Sequence, residues 1–441
     1  MSNSIQMPSQ AWTTYKEKVL HFSERIVDAQ KPIRVLDAIK WDASIERELR
    51  EGKFKVMPKI GPDYYEKISI GFDPDSKRNE FKSIIQDLRS TLGKEDSVGE
   101  LLISICDQYL LTVDMLESRG TKNFWQKSRL LYGSPKDTFF GDKNRILDLG
   151  KIMYSILGGI EEHKIGTAIV DDVPAEEVVR ELTQRFQSYF PGDGIEARLS
   201  DGIVADAAAG GDVVKIKQSA HFSRRDIDIL EVHEGWVHIG TTQNGSHQKI
   251  AKWLSKGPPR VAATQEGLAV IMEIFTFRTY PARARAINDR ILGIDKAEEG
   301  ANLLELIEFY QTEGYSEDEC IMNAKRVMRG GVVEGGAPFT KDLSYCRGFI
   351  ENYNFMRAAI RAGRPEYIPF LFVGKIHVDD IPLLYQKFEE GLIDPPRYVP
   401  QPFRDLYGLM VWLSFSSFLN QIDLHQVQEH YDKLFSRYGA K

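Results

Sequence analysis

The chain of 441 residues exceeds one typical domain, so two domains, or one domain with a large appendage, are expected. Its 42% apolar and 27% charged residues are those of an ordinary globular protein with a sizeable core. A net charge of −7 leaves no cationic excess to neutralise phosphates, which argues against a general nucleic-acid binder. Cys106, Cys320 and Cys346 are scattered, without the CxxC spacing of a thiolate zinc site or the density of a disulfide framework. Residues 1–12 are polar and show no secretory leader. No apolar run reaches the roughly 18 residues that a membrane span needs. The longest candidate, 409–419, is interrupted by serines and reads as a buried helix. A reducing cytoplasm is the expected location.

Residues 13–132 read as mostly helical, with apolar positions at helical spacing through 15–29, 81–92 and 98–116. Gly61-Pro62 and Asp73-Pro74-Asp75 punctuate these pieces, and Tyr132-Gly133-Ser134-Pro135 ends the region. The lone His21 reads as a packed or surface histidine. A boundary is expected at 144/145, with a mostly helical N-terminal region before it and the functional domain at 145–441. After it come a helix at 145–157 stopped by Gly158-Gly159, a short strand at 167–171 and a helix at 174–190. A turn at 191–194 leads into a strand group at 195–199, 203–207 and 213–222, with Gly210-Gly211 as a hairpin signal. The fold class is therefore α+β and helix-rich.

The alternating stretch 212–222 runs through Ser223, a plausible N-cap, into a helix expected over 224–240. That helix carries HEGWVH at 233–238, and Gln265-Glu266 opens the next helical stretch. Zinc hydrolases require such donors: two neutral imidazoles and a carboxylate on the ion, an open position for water, and a free carboxylate beside it. His233 and His238 are five residues apart, not the common four. At about 100° per residue, five positions overshoot one helical face, so both imidazoles reach one ion only if the helix widens locally, as in a π-type turn. Gly235 lies where that distortion falls and resists it least. A surface helix with ordinary His and Glu residues is the plain alternative. His247, nine residues after His238, competes with Glu266 as third donor but has the wrong spacing for a metzincin. Residues 240–259 read as loop-rich, with 243–245 a tight turn and Pro258-Pro259 stiffening entry to the next helix. There Leu268, Ile271, Met272 and Phe275 read as core, and Gln265 is either a hydrogen-bond partner of the site or a plain helix-start residue. An edge strand leading into a metal-bearing helix also suits a peptidase, because substrate can add to the edge.

Five stretches together carry a resemblance: HEGWVHIGTTQNG at 233–245, QEGLAV at 265–270, PARARAI at 281–287, FTKDLSYCRGF at 339–349 and GKIHVDDIPLLYQKFEEGLIDPP at 374–396. The chain resembles the QEGLA-motif family, whose bacterial members carry a label about flavohaemoglobin expression and whose animal relatives are microtubule-associated tyrosine carboxypeptidases. The resemblance implies a zincin-like peptidase domain with one Zn2+ per chain, His233, His238 and Glu266 as ligands, and Glu234 as general base. It also implies removal of a C-terminal, aromatic residue from a peptide or protein. The chain departs from the usual GGGFTKD pattern through the inserted stretch 332–338, next to the loop carrying Lys341 and Tyr345.

A carboxypeptidase needs a group for the substrate carboxylate, and guanidinium forks suit it. Arg278, Arg283, Arg285 and Arg290 form either a solvated helix face or, through Arg283, such a clamp. Lys341 and Arg347 are the other candidates, although Lys341 and Asp342 also read as simple capping residues. Tyr345 and, secondarily, His377 are candidate donors to a developing oxyanion. From 383 the chain reads as helical, broken at Asp394-Pro395-Pro396, and closes with packing helices at 403–420 and 424–438. Expected partners are peptide or protein C-termini, with no nucleic acid and no membrane. Without a long basic extension, microtubule binding is not implied. Two other readings remain: a regulatory binding protein with a structural or vestigial zinc site, and a zinc endopeptidase or aminopeptidase.

Overall fold

The computed structural model describes residues 10–160, 164, 166, 169–203 and 205–438. Helices dominate, with two small sheets between them. The first three long helices, Gln10–Gln30, Pro74–Leu92 and Ser97–Glu117, form one packed layer. Asp73, expected as turn punctuation, also starts a helix, as Asp96 does for the next: their carboxylates accept the backbone N–H of Ser76 and Gly99. The apolar faces of these helices join Leu268, Met272 and Phe372 in one core. A second core gathers Trp41, Tyr65 and Phe124 with Leu306 and Phe339. A third lies beneath the sheet, where Val178, Leu182 and Phe186 meet Val214, Ile216 and Ile239.

The strand group differs from expectation in detail. Strand β1 (Val173–Pro174) pairs antiparallel with β5 (His221–Phe222). In the other sheet, β4 (Val213–Lys217) lies between β2 (Glu196–Ser200), parallel to it, and β3 (Ala207–Ala209), antiparallel. The stretch 212–222 is thus two strands, and its main one is central because both of its ladders are taken. The edges belong to β2 and to Ala207–Ala209, the latter at the end of the expected 203–207 strand. Of the expected strand 167–171, residues 167 and 168 lie outside the described residues, and 169–171 is not strand.

Beyond Ser223, whose hydroxyl caps Asp226 N–H, the expected single helix is three: Arg224–Leu230 is α, Glu231–Ile239 is π, and Gly240–His247 is α again. Asn244-Gly245 is therefore helical, not a turn. Asn244 is buried and donates to the carbonyls of Phe372 and Tyr398. A Cβ at Gly245 would lie 2.1 Å from the Leu254 carbonyl oxygen, so glycine serves close packing there. The next helix, Val261–Phe275, starts five residues before Glu266 and sets that residue in its interior. It crosses Ser344–Arg361 at a pair of glycines. A Cβ on Gly267 would come within 1.9 Å of the Gly348 carbonyl carbon, and one on Gly348 within 1.7 Å of the Ala263 oxygen.

The closing helices, Leu406–Leu419 and Leu424–Tyr438, are not the packing elements that hydropathy suggested. Leu409 and Leu413 are buried, whereas Val411, Trp412, Phe415 and Phe418 are exposed. Only one stripe of the first helix meets Ser344–Arg361, where Tyr353 donates to Ser416. Among the described residues, no helix is long and apolar enough to cross a membrane.

Candidate metal centre

The widened helix decides the geometry of the two histidines. A π turn closes i to i+5, so His233 and His238 fall on one face where an α-helix would splay them. The distortion covers nine residues, more than the single turn that the spacing demanded. Gly235 has a further reason to be glycine: a Cβ there would lie 2.3 Å from Cε1 of Phe186, whose ring packs on the helix.

Val261–Phe275 brings Glu266 to this face. Its Oε2 lies 3.7 Å from His233 Nε2 and 3.5 Å from His238 Nε2. The ligand atoms of all three residues lie within 4.8 Å of one another. His247 is elsewhere, with its Nε2 3.6 Å from Asp193. His233, only 4% exposed, is fixed from behind, because its Nδ1 is 2.7 Å from Glu273 Oε1. Arg283 grips that carboxylate twice, at 2.8 and 2.7 Å. Burial opposes ionisation of Glu273, but Arg283 and His233 hold its pKa down at about 2. Burial likewise disfavours a charged His233, yet Glu266, Glu273 and Glu234 lift its pKa to about 10. Three carboxylates around two imidazoles thus draw positive charge into the site. With Nδ1 engaged by Glu273 and Nε2 directed at Glu266, His233 has the outer carboxylate partner typical of metal-bound histidines. The donor set fits a zinc ion.

Gln265 is a hydrogen-bond partner of the site: its Oε1 accepts from Thr241 Oγ1 at 2.8 Å and from Lys375 Nζ at 2.7 Å. Lys375 also donates to the His238 carbonyl at 2.9 Å. Burial presses its pKa down to about 7. Glu234 lies outside the triad but lines the same cleft, and its Oε2 accepts the Ala209 N–H of the strand edge at 2.8 Å.

The model of a family described as microtubule-associated tyrosine carboxypeptidase matches residues 47–421. The chain belongs to this family. No curated protein matches it. The triad, Glu234, Glu273 and Arg283 all fall inside the span matched by the family.

The triad opens on a cleft of about 530 Å³, lined also by Glu234, Ala207–Ala209, Lys341 and Tyr345. The N-terminal region supplies Leu36, Asp37 and Lys40 to its rim. Lys341 Nζ lies 3.2 Å from Glu266 Oε1. Burial works against its ammonium, but Glu266 and Tyr345 keep its pKa above the ordinary lysine value. The Tyr345 ring is 6.3 Å from that of His233. The other sequence candidates lie off the cleft. Arg283 is committed to Glu273, and Arg347 donates to Glu351 at 2.7 Å. His377 caps a short turn by accepting Asp379 N–H, and burial with nearby Arg260 pushes its pKa down to about 4. Arg278 and Arg285 are engaged by Glu231 and Glu313.

Sequence reasoning passed over Glu273, Lys375, Arg326 and Arg329. A signal for Glu273 existed: it follows Glu266 by seven residues, two helical turns along the same face.

Proposed function

We propose that the chain is a zincin-like, zinc-dependent carboxypeptidase acting on peptide or protein C-termini in the cytoplasm, with one ion per chain. The observation that carries this reading is the convergence of His233, His238 and Glu266 while Glu234, beside them in sequence, stays out of the set. Among the described residues the cluster has three members, and three protein donors with a position to spare are the mark of a catalytic site, whereas structural zinc is closed by four. A bound zinc ion supplies Lewis acidity, lowering the pKa of water towards about 7 and polarising a carbonyl.

The protein's own groups do the rest. Glu234, aimed by the Ala209 N–H, takes the proton of the attacking water and delivers it to the leaving nitrogen. Lys341 and Tyr345, which line the cleft with the triad, serve as donors to the tetrahedral oxyanion. Residues Ala207 and Ala209 turn their backbone groups away from β4, as alternate residues of an antiparallel edge do, and offer an extended peptide a strand to lie along. Preference for a terminal tyrosine or other aromatic residue rests on the family description.

The experiment is digestion of a synthetic peptide library by zinc-loaded wild type and Glu234→Gln, followed by mass spectrometry with metal analysis. Wild type is expected to remove single C-terminal residues. Glu234→Gln is expected to keep its zinc and lose about 10²–10⁴-fold in rate. Wild type that carries one zinc and releases nothing, or Glu234→Gln that cleaves equally well, overturns the reading in favour of a binding protein. Internal or N-terminal cleavage replaces it with an endopeptidase or aminopeptidase.

A further inference from the structure

Beyond Tyr345 the cleft runs into a group of cations. The helix Glu317–Met328 ends with Arg326 in its last turn and Arg329 immediately after it. Both line the cleft, as does Lys341. A fourth cation, Arg290, lies with its guanidinium 4.5 Å from the Tyr345 ring centre. Two carboxylates answer them: Asp342 accepts from Arg326 Nε at 2.6 Å, and Glu266 faces Lys341. Arg329 has neither. It is 4% exposed and its Nε is buried without a hydrogen-bond partner. Among the described residues, no carboxylate lies within ion-pair distance of it.

Its position is not accidental slack. The next residue, Gly330, adopts φ +79°, and its N–H donates to the Tyr65 hydroxyl at 2.7 Å. A Cβ at Gly330 would lie 2.3 Å from the Phe124 ring, and the Gly330 carbonyl accepts from Gly120 N–H at 2.9 Å. The backbone therefore holds Arg329 in place from both sides. Burial, then the like charge of Arg326, press its pKa down to about 10, which still leaves it cationic at neutral pH. Burying an unpaired guanidinium is costly unless something completes it.

We propose that Arg329 receives the α-carboxylate of the substrate's last residue and so makes this end of the cleft specific for a chain terminus. This rests on the carboxypeptidase reading. The planar fork of arginine matches a carboxylate in a way that the point charge of Lys341, already engaged by Glu266, does not. Arg326 and Arg290 add field: the first is held by Asp342, and the second, although its Nε and Nη1 are also buried without partners, stands over the Tyr345 ring and does not line the cleft. Arg329 is a specificity-determining residue, not part of the proton transfer.

The test uses zinc-loaded Glu234→Gln, so that peptide stays intact, and calorimetric binding of one synthetic peptide ending in tyrosine as the free acid and as the carboxamide. A third peptide, a carboxamide with glutamate last, separates a terminal carboxylate from a side-chain one. The free acid is expected to bind best. Adding Arg329→Gln is expected to weaken it on the order of 10²-fold, to the level of the amide, with zinc content unchanged. Arg329→Lys, which keeps charge and bulk, is expected to recover part of the preference. A preference for acid over amide that survives Arg329→Gln, equal binding of acid and amide, binding of neither, or tight binding of the glutamate amide overturns the assignment. Failure of wild type to hydrolyse any peptide sinks the proposed activity instead, and the binding series still judges Arg329.

Discussion

Around His233 the imidazole, Glu273 and Arg283 answer one another within the protein, whereas around Tyr345 the cations outnumber the acids. On the first wall, His233 leans on Glu273, Glu273 on Arg283, and Gln265 joins Thr241 to Lys375. On the second, Arg290, Arg326, Arg329 and Lys341 share Asp342 and Glu266. The difference is what completes each: internal partners fix the first, and on the proposal above a substrate carboxylate completes the second.

That contrast can be broken most severely at the donors. The double variant His233→Ala, His238→Ala should hold no tight zinc after dialysis, because the first wall then lacks both imidazoles. Stoichiometric metal in that variant would refute the triad. A milder change sharpens the comparison: Glu273→Gln removes the charge behind His233 without touching a donor. Metal affinity should fall about 10–100-fold in a competition titration. An unchanged affinity would mean that the wall's internal pairing does not orient the donor. The smallest effect expected comes from Gly235→Ala, which pushes the Phe186 ring and should cost about 1–3 kcal/mol in thermal unfolding. If it costs nothing, packing on Phe186 does not hold the π segment.

The sequence exposed the first wall better than the second, for a physical reason. Donor chemistry is local, so HEGWVH and QEGLA announce their residue types, and five-residue spacing alone demands a widened helix. How far the widening runs depends on packing between helices, which no spacing encodes. Carboxylate receptors are different. The chain is rich in arginine, and only the fold shows that Arg283 and Arg347 are already engaged while Arg329 is not. The same limit explains the strand edge and the closing helices. Alternation in 212–222 shows a strand but not its neighbours. Apolar residues in Leu406–Leu419 show what a helix would bury if something covered it, and little does.

The glycine pair at the helix crossing has a mechanical consequence. With Gly267 and Gly348 in place, two helices touch main chain to main chain, and neither can slide along the other without first lifting away. Glu266 and Tyr345, one on each helix, therefore ride on a single rigid body. Whatever closes over a substrate must come from the opposite bank, where Ala207–Ala209 is fastened to the helix of His233 and His238 by the Ala209 N–H on Glu234, and the neighbouring Gly211 carbonyl accepts the Gln243 side chain. On the proposed mechanism, substrate arriving along that edge would tug on the carboxylate that moves the proton, so docking and proton transfer would share one joint.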